Sequence, residues 1–238
     1  MMVGKGVTDI NIDIPTDAYD IGNGMPIFSA YLLAIVKDST GKVIKVHKQR
    51  SHSPTANFIG LLLPLTWFNN TGNSYTVTNI TSGTCSYKPA LNAGNPNIGY
   101  PANNPGVGNL GPMNYLVMIQ VGSGSQSNSY SATGLAAPIS NGSGSGQLIY
   151  NAVNSPAGVV VSGSSAYFVI SQSYTNQSGG TINITEVGIV LSLTLVQAKS
   201  NPYTNCGNIL VWYDVLSSPI SVPNGGSVTI YYTFTVNP

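Results

Sequence analysis

The sequence predicts an all-β fold, an antiparallel β-sandwich or jelly roll with long loops, and three features predict it. Apolar residues alternate with Ser, Thr and Asn at period two, most clearly toward the carboxyl end. Turn signals rich in Gly, Pro and Asn separate these runs. No segment of helical period exceeds about ten residues, and no internal repeat is evident. Many short strands divided by turns indicate a sandwich or jelly roll, with at most one short helix, near residues 56–63.

The elements follow in chain order. Residues 31–36 and 43–47 flank Lys37-Asp38-Ser39-Thr40-Gly41-Lys42, a hairpin with a Gly-containing loop. Residues 58–63 read as a short helix with Thr55 as N-cap and Pro64 as its stop; a buried strand is the alternative. Strands are expected at residues 75–80 and 115–121, separated by an Asn/Gly/Pro-rich arm at residues 92–112. Residues 122–130 and 140–146 are Ser/Gly-rich loops. Further strands are expected at 166–173 and 210–215. Ile182 and Ile184 occupy one parity and Val187, Ile189, Leu191, Leu193 and Leu195 the other, so the phase slips around Glu186-Val187-Gly188, a bulge with Gly at the kink. Val222-Pro223-Asn224-Gly225-Gly226 is a turn. After it Val228, Ile230, Tyr232, Phe234 and Val236 alternate with Ser227, Thr229, Tyr231, Thr233 and Thr235, a half-buried antiparallel strand. Residues 1–50 form an amino-terminal tail and hairpin integral to the fold, residues 51–238 the main sandwich, and the whole a single domain.

Charge divides the chain unevenly. Only 15 of 238 residues are charged, and 11 of these lie in the first 50; from Ser51 onward there are only Lys88, Glu186, Lys199 and Asp214. Globular proteins average about a quarter charged residues. A net charge of +1 removes the repulsion that keeps monomers apart, which suits a protein packed beside copies of itself or one exposed to a harsh medium. It does not suit a metabolic enzyme, which needs acids and bases. Without an excess of Lys and Arg, nucleic acid is not an expected partner. Apolar residues, at 42%, argue against disorder. No secretory signal is visible in the first 20 residues. The longest apolar stretch, residues 58–68, contains Pro64 and is too short to span a bilayer.

The residues that could carry chemistry are few. Cys85 and Cys206 form either one disulfide, closing a loop of about 120 residues worth on the order of 4–5 kcal/mol, or two buried thiols. Their Thr/Ser/Asn/Gly surroundings, typical of surface turns, favour the disulfide. His47 belongs to a hairpin face and His52 to the loop after it; no G-x-S-x-G elbow accompanies them. Glu186 and Asp214 are the only late carboxylates, and a hydrogen bond from Glu186 to nearby backbone is preferred over a glycosidase pair. The glycine runs at 122–127 and 142–146 lack the dinucleotide and P-loop patterns. Asp9, Asp13, Asp17 and Asp20 are the one acidic cluster, a weak Ca²⁺ candidate without EF-hand spacing; solvated acids on an amino-terminal strand or arm are preferred. Catalytic and cofactor residues are expected to be absent. Five N-x-S/T sequons start at Asn69, Asn79, Asn141, Asn176 and Asn183, as many as chance supplies in such a composition.

Several strings together resemble blocks in virion proteins of thermophilic archaeal viruses and phages. Lys37 to Lys42, leading to Arg50-Ser51-His52-Ser53-Pro54-Thr55-Ala56-Asn57-Phe58, resembles their hairpin and S-x-S…N-F segment. Val121-Gly122-Ser123-Gly124 with Leu135-Ala136-Ala137-Pro138-Ile139 is similar to their central block. Thr175-Asn176-Gln177-Ser178-Gly179-Gly180 with Thr185-Glu186-Val187-Gly188 is similar to the N-x-S-G…E-V-G block, and Tyr213-Asp214-Val215-Leu216 through Gly226 to the closing one. Trp212-Tyr213 stands where such a block often has Arg before the Asp, so no family ion pair is expected there. The similarity spans about two thirds of the chain in order. It implies a capsid-surface, tail or fibre role in the virion and supplies no catalytic residue.

The expectation is therefore a non-catalytic virion protein that assembles with itself and with other virion proteins, possible contact with a host-surface glycan included. The amino-terminal tail and the 92–112 arm are the segments expected to reach neighbours. The first alternative is an extracellular cell-surface filament subunit, thread- or pilus-like, joined by donated β-strands. The second is a carbohydrate-binding or adhesin module using Trp67, Trp212 or tyrosines, against which these aromatics read as core or interface.

Overall fold

In a computed structural model of the chain, residues 27–51, 54–66, 75–81, 83–87, 117–127, 130–154, 159–195 and 204–237 are described. The strands are β1 (Ile27–Lys37), β2 (Val43–Ser51), β3 (Tyr75–Thr78), β4 (Thr84–Tyr87), β5 (Val117–Gly122), β6 (Ile149–Asn154), β7 (Val160–Ser162), β8 (Ser165–Thr175), β9 (Ile182–Leu195), β10 (Thr204–Val222) and β11 (Ser227–Asn237); helix α1 (Ala56–Thr66) follows β2. The chain is an all-β sandwich of antiparallel sheets packed against each other. The larger sheet has the order β2-β1-β11-β8-β6, with β7 also paired to β8; the smaller is β10-β9-β5, and β3-β4 is a separate hairpin. The amino-terminal hairpin thus lies within the main sheet, where β1 pairs with the carboxyl-terminal β11 from Ile27↔Asn237 to Lys37↔Ser227.

The period-two pattern of the larger sheet puts Leu32, Ala34 and Val36 of β1 and Val228, Ile230, Tyr232 and Phe234 of β11 into the core. Burial also goes beyond this period, since Leu32 to Val36 of β1 and Tyr232 to Thr235 of β11 are buried in succession. In the smaller sheet Met118 to Val121 of β5 and Ile209 to Asp214 of β10 are buried in succession, so both of its faces are covered. The larger sheet covers one. The loop after β5 covers the other, with Leu135 of that loop against the core.

A sheet buried on both faces must also satisfy the backbone groups of its edge strands inside the protein. At the β5 edge, side chains of the larger sheet do this. Gln172 accepts the Ile119 N–H at 2.8 Å and donates to the Asn151 carbonyl at 3.0 Å. The Tyr174 hydroxyl donates to the Ile119 carbonyl at 2.6 Å, and the Tyr150 hydroxyl accepts the Val121 N–H at 3.3 Å. Burial raises the pKa of both tyrosines, so they remain protonated donors at neutral pH. Their rings meet edge to face at 4.8 Å. At the opposite edge, β10 is covered by the segment leading into α1 and by the residues after β3. The Thr55 N–H donates to the Val211 carbonyl, the Asn57 amide to the Leu210 carbonyl, and the Ile80 N–H to the Asn208 carbonyl.

Several elements depart from the sequence expectation. Thr55 does not cap α1 with its side chain; its hydroxyl donates to the Leu210 carbonyl at 2.7 Å, because β10 lies beside it. Pro64 does not end the helix, which runs on to Thr66 with one backbone N–H fewer. Strand β3 stops at Thr78 because the Asn79 side chain accepts the N–H groups of Thr81 and Gly83, closing a turn. The following β4 was not foreseen, and Cys85 lies on this strand, buried, instead of in a surface turn. Strands β6 and β7 also fall outside the expectation. The slip near residue 186 is a bulge on the partner strand: Val215 pairs with Glu186 and Ile220 with Ile184, so residues 216–219 stand opposite Thr185 alone. Gly188 is not its kink. An added Cβ there would lie 2.5 Å from Leu210 Cδ1 and 2.9 Å from Leu135 Cδ1, so this glycine admits the overlying side chains. The 92–112 arm lies outside the described residues.

Replacing Gln172 by Leu leaves the buried Ile119 N–H and the part-buried Asn151 carbonyl without their partner. The expected loss is about 1–3 kcal/mol for the Ile119 N–H, read as a lower urea midpoint with the β signature in circular dichroism retained.

Candidate functional site

The two late carboxylates are both buried, Glu186 at 0% and Asp214 at 1% exposure, and each is held by its own partners. Glu186 accepts the N–H groups of Ala137 at 2.7 Å, Ala136 at 3.0 Å and Gly124 at 3.2 Å, together with the Tyr213 hydroxyl at 2.9 Å. It pins the loop between β5 and β6 onto the outer face of the smaller sheet. The glycines of that loop allow it: a Cβ on Gly124 would sit 2.7 Å from Glu186 Oε1, and one on Gly122 closer still. Gly122 and Gly124 therefore serve close approach to a carboxylate. Burial first, then the hydrogen bond to Glu186 and its charge, raises the Tyr213 pKa and keeps its hydroxyl a donor. Asp214 faces the other way, into the larger sheet, and accepts the hydroxyls of Ser51 at 2.5 Å and Tyr232 at 2.8 Å. The Trp212 indole N–H donates to Ser51. The Tyr232 pKa is raised by burial and then by Asp214.

The inward row of β2 continues this polar seam. Lys45 donates to the Pro219 carbonyl at 2.7 Å. Gln49 donates to the Val215 carbonyl at 2.9 Å and accepts the Ser217 N–H at 2.8 Å. His47, between them, is 3.2 Å from Gln49 Oε1 and 3.4 Å from Ser218 Oγ. Four consecutive inward side chains, Lys45, His47, Gln49 and Ser51, thus hold the irregular stretch of β10. Burial, aided by the Lys45 charge and opposed by the Gln49 hydrogen bond, lowers the His47 pKa. His52 lies outside the described residues.

Cys85 is disulfide-bonded, and Cys206 is the chain's only other cysteine. Cys206 falls on β10 where the pairing with β9 skips a residue, between Asn205 and Gly207. Trp212 cannot offer a sugar-stacking platform: it is buried, edge to face with Phe58 at 5.7 Å and with Phe234 at 5.1 Å. Trp67 lies outside the described residues, as do Asp9, Asp13, Asp17, Asp20 and Asn69. Among the sequons, Asn176 is fully buried and donates to the carbonyls of Gly180 and Val222 at 2.8 Å, whereas Asn183 is exposed. Among the described residues, no three His, Cys, Asp or Glu group as metal ligands, and no helix is long and apolar enough to cross a membrane.

Among the described residues, what the larger sheet leaves uncovered is its edge. Strand β2 ends the sheet order, and Val43, Ile44 and Val46 on it are 47%, 49% and 50% exposed. At the other end Val160 and Val161 of β7 are exposed as well. Sequence reasoning identified the hairpin but not that its second strand would be an apolar edge; the Val43, Ile44 and Val46 run is the signal that could have shown it. Comparison with protein-family models, with curated proteins and with solved structures gives no match.

Replacing Glu186 by Gln turns an NH₂ group toward at least one pair of N–H or O–H donors. Stability should fall by about 1–3 kcal/mol, and the amides of Gly124, Ala136 and Ala137 should exchange faster with deuterium. His47 gives a second test. Its pKa is lower in the folded state, so its contribution to stability is complete above the unfolded value of about 6.5 and is lost as pH falls below it. The urea midpoint should drop between about pH 7.5 and about pH 5, and His47→Gln should flatten that drop.

Proposed function

We propose that this chain is a non-catalytic structural subunit of a virion, assembled with copies of itself on a capsid surface or tail. The observation that supports it most is the contrast between the two sheets. The smaller one has both edges covered within the chain, whereas the larger one ends in β2 with three exposed β-branched residues. An exposed apolar edge is an aggregation hazard for a lone monomer and an asset for a protein that pairs with its neighbours. The scarcity of charge supports the same reading, because charge is depleted at the core of interfaces and uncharged faces meet without desolvating ions. The virion setting rests on the resemblance of the ordered sequence blocks. Carboxylates absorbed into the hydrogen bonding of the sandwich support a non-catalytic role.

The open β2 edge also fits the filament alternative, a cell-surface subunit joined by donated strands. Electron microscopy separates the two: closed rings or shells favour the virion part, and open-ended threads favour the filament.

Assembly itself is tested by sedimentation of the purified chain. The expected result is a discrete oligomer or lattice burying more than about 1,000 Å² between neighbours. Its association should change little between low and high salt, since few ion pairs are available to screen. A stable monomer at high micromolar concentration would count against the reading.

A further inference from the structure

Strand β2 presents two kinds of side chain along its length. Val46 points outward, half exposed, and is followed on the same face by Lys48; Ile44, as exposed as Val46, is the extra residue where the pairing with β1 shifts between Val36 and Lys37. Lys45, His47 and Gln49 point inward. A strand that pairs with β2 must match both rows at period two. Residues 7–14 of this chain read Val-Thr-Asp-Ile-Asn-Ile-Asp-Ile, in which Ile10, Ile12 and Ile14 alternate with Asp9, Asn11 and Asp13. Pro15, with no N–H to donate, follows directly and marks where such a strand would stop.

We propose that residues 7–14 of a neighbouring copy add to β2 as an antiparallel strand, with Ile12 opposite Val46 and Asp13 opposite Lys45. The proposal rests on the assembly reading above and names its interface. In this register Ile12 covers Val46, and Ile14 falls opposite Ile44 at the bulge, beside the equally exposed Val43. Ile10 lies along the Lys48 stem. On the other face Asp13 meets Lys45, Asn11 meets His47 and Asp9 meets Gln49. A slip by one residue would set isoleucines against the inward row and aspartates against Ile44 and Val46, so the pattern selects its own register. Backbone hydrogen bonds and the isoleucines supply the affinity. An exposed ion pair adds little and serves to fix alignment, consistent with weak salt dependence.

The donor is a neighbour because of reach. Every strand pair described is antiparallel, and the added strand follows that rule. Its Ile14 then lies at the Ile44 end of β2, while Ile27 lies beyond the far end, three residues before Ala30, which pairs with Ser51. The separation is on the order of 35 Å, about ten residues along the strands and two strands across. Residues 15–26 reach at most roughly 45 Å fully drawn. Closure within one chain would need them extended over most of that length, and a donor from a second chain sets no such requirement.

The test uses the full-length protein. A mixture of ¹⁴N- and ¹⁵N-labelled chains is allowed to exchange subunits, then treated with a zero-length carbodiimide that joins carboxylates to amines in contact. Mass spectrometry should find Asp13 joined to Lys45 in peptides of mixed isotope. Ile12→Lys, outside the described sandwich, should weaken association on the order of 100-fold with an unchanged circular dichroism spectrum, and Val46→Lys on β2 should do the same. Mixing the two variants should restore pairs, since one retains a sound donor and the other a sound edge. If the wild type is an oligomer but Ile12→Lys leaves it intact, the strand addition is wrong while the assembly reading stands. If Asp13–Lys45 links occur only within one isotope, the strand closes on its own chain and the proposal falls. A wild-type monomer removes the assembly reading itself.

Discussion

The structure turns on the requirement that a sheet buried on both faces find partners for its edge backbone without water. Strands β5, β9 and β10 form such a sheet, and its edges constrain the described elements that meet them. Gln172, Tyr174 and Tyr150 project from the larger sheet to the β5 edge, which fixes how the two sheets align. Thr55, Asn57 and Ile80 do the same at β10, which fixes where α1 and the β3-β4 hairpin must sit. Asn57 also joins α1 to β3, accepting the Thr78 N–H and donating to the Thr78 carbonyl, each at 2.9 Å. The sandwich is thus joined by side chains bonded to backbone as much as by apolar contact.

The same logic explains why so few charges suffice. Each carboxylate after residue 50 acts as a hydrogen-bond acceptor where a segment of irregular backbone must be tied down. Glu186 collects three N–H groups of a loop whose only pairing with β5 is the bridge between Gly122 and Pro138, and Asp214 anchors the tryptophan-serine corner where β2 meets β10. Buried hydrogen bonds to a charged group are stronger than neutral ones, so a single acid at each point replaces several weaker contacts. The bulge of four residues opposite Thr185 would otherwise expose its backbone to the interlayer; Lys45, His47 and Gln49 fill that gap.

Much of this was legible in the sequence, and the parts that were not share a physical cause. The alternation at residues 227–236 marked β11 because its apolar row packs on the core, while the opposite row is polar or aromatic and only half-buried from Ser227 to Tyr231. The β1-β2 hairpin was marked by its turn, where Asp38 accepts from Thr40 and Lys42. Both signals are local. Strand β10 reads only as residues 210–215 in the sequence, because burial on both faces erases alternation and bulges break its parity. Strand β4 is short and polar, β7 has only three residues, and β6 is broken by the irregularity between Tyr150 and Val153. The role of Glu186 as a backbone acceptor was accessible from its scarcity, but the loop it binds lies about fifty residues earlier, a distance no local pattern reports. Gly188 was misassigned for the same reason: its need for smallness comes from Leu135 and Leu210, which sequence spacing does not bring near.

An edge strand that is meant to be paired must still refuse most partners. Lysines on an edge discourage indiscriminate pairing, and β2 carries Lys45, Lys48 and Arg50 among its apolar residues. A neutral or basic strand meets those charges without compensation. A strand alternating isoleucine with aspartate meets them with opposite charge on one face and apolar contact on the other. Discrimination then comes from the repulsive element as much as from the attractive one. Four of the chain's seven acids are in its first 20 residues, and four of its eight bases are between Lys42 and Arg50. A protein that discarded charge almost everywhere kept it in two segments of opposite sign, and the structure sets one of them on its open edge.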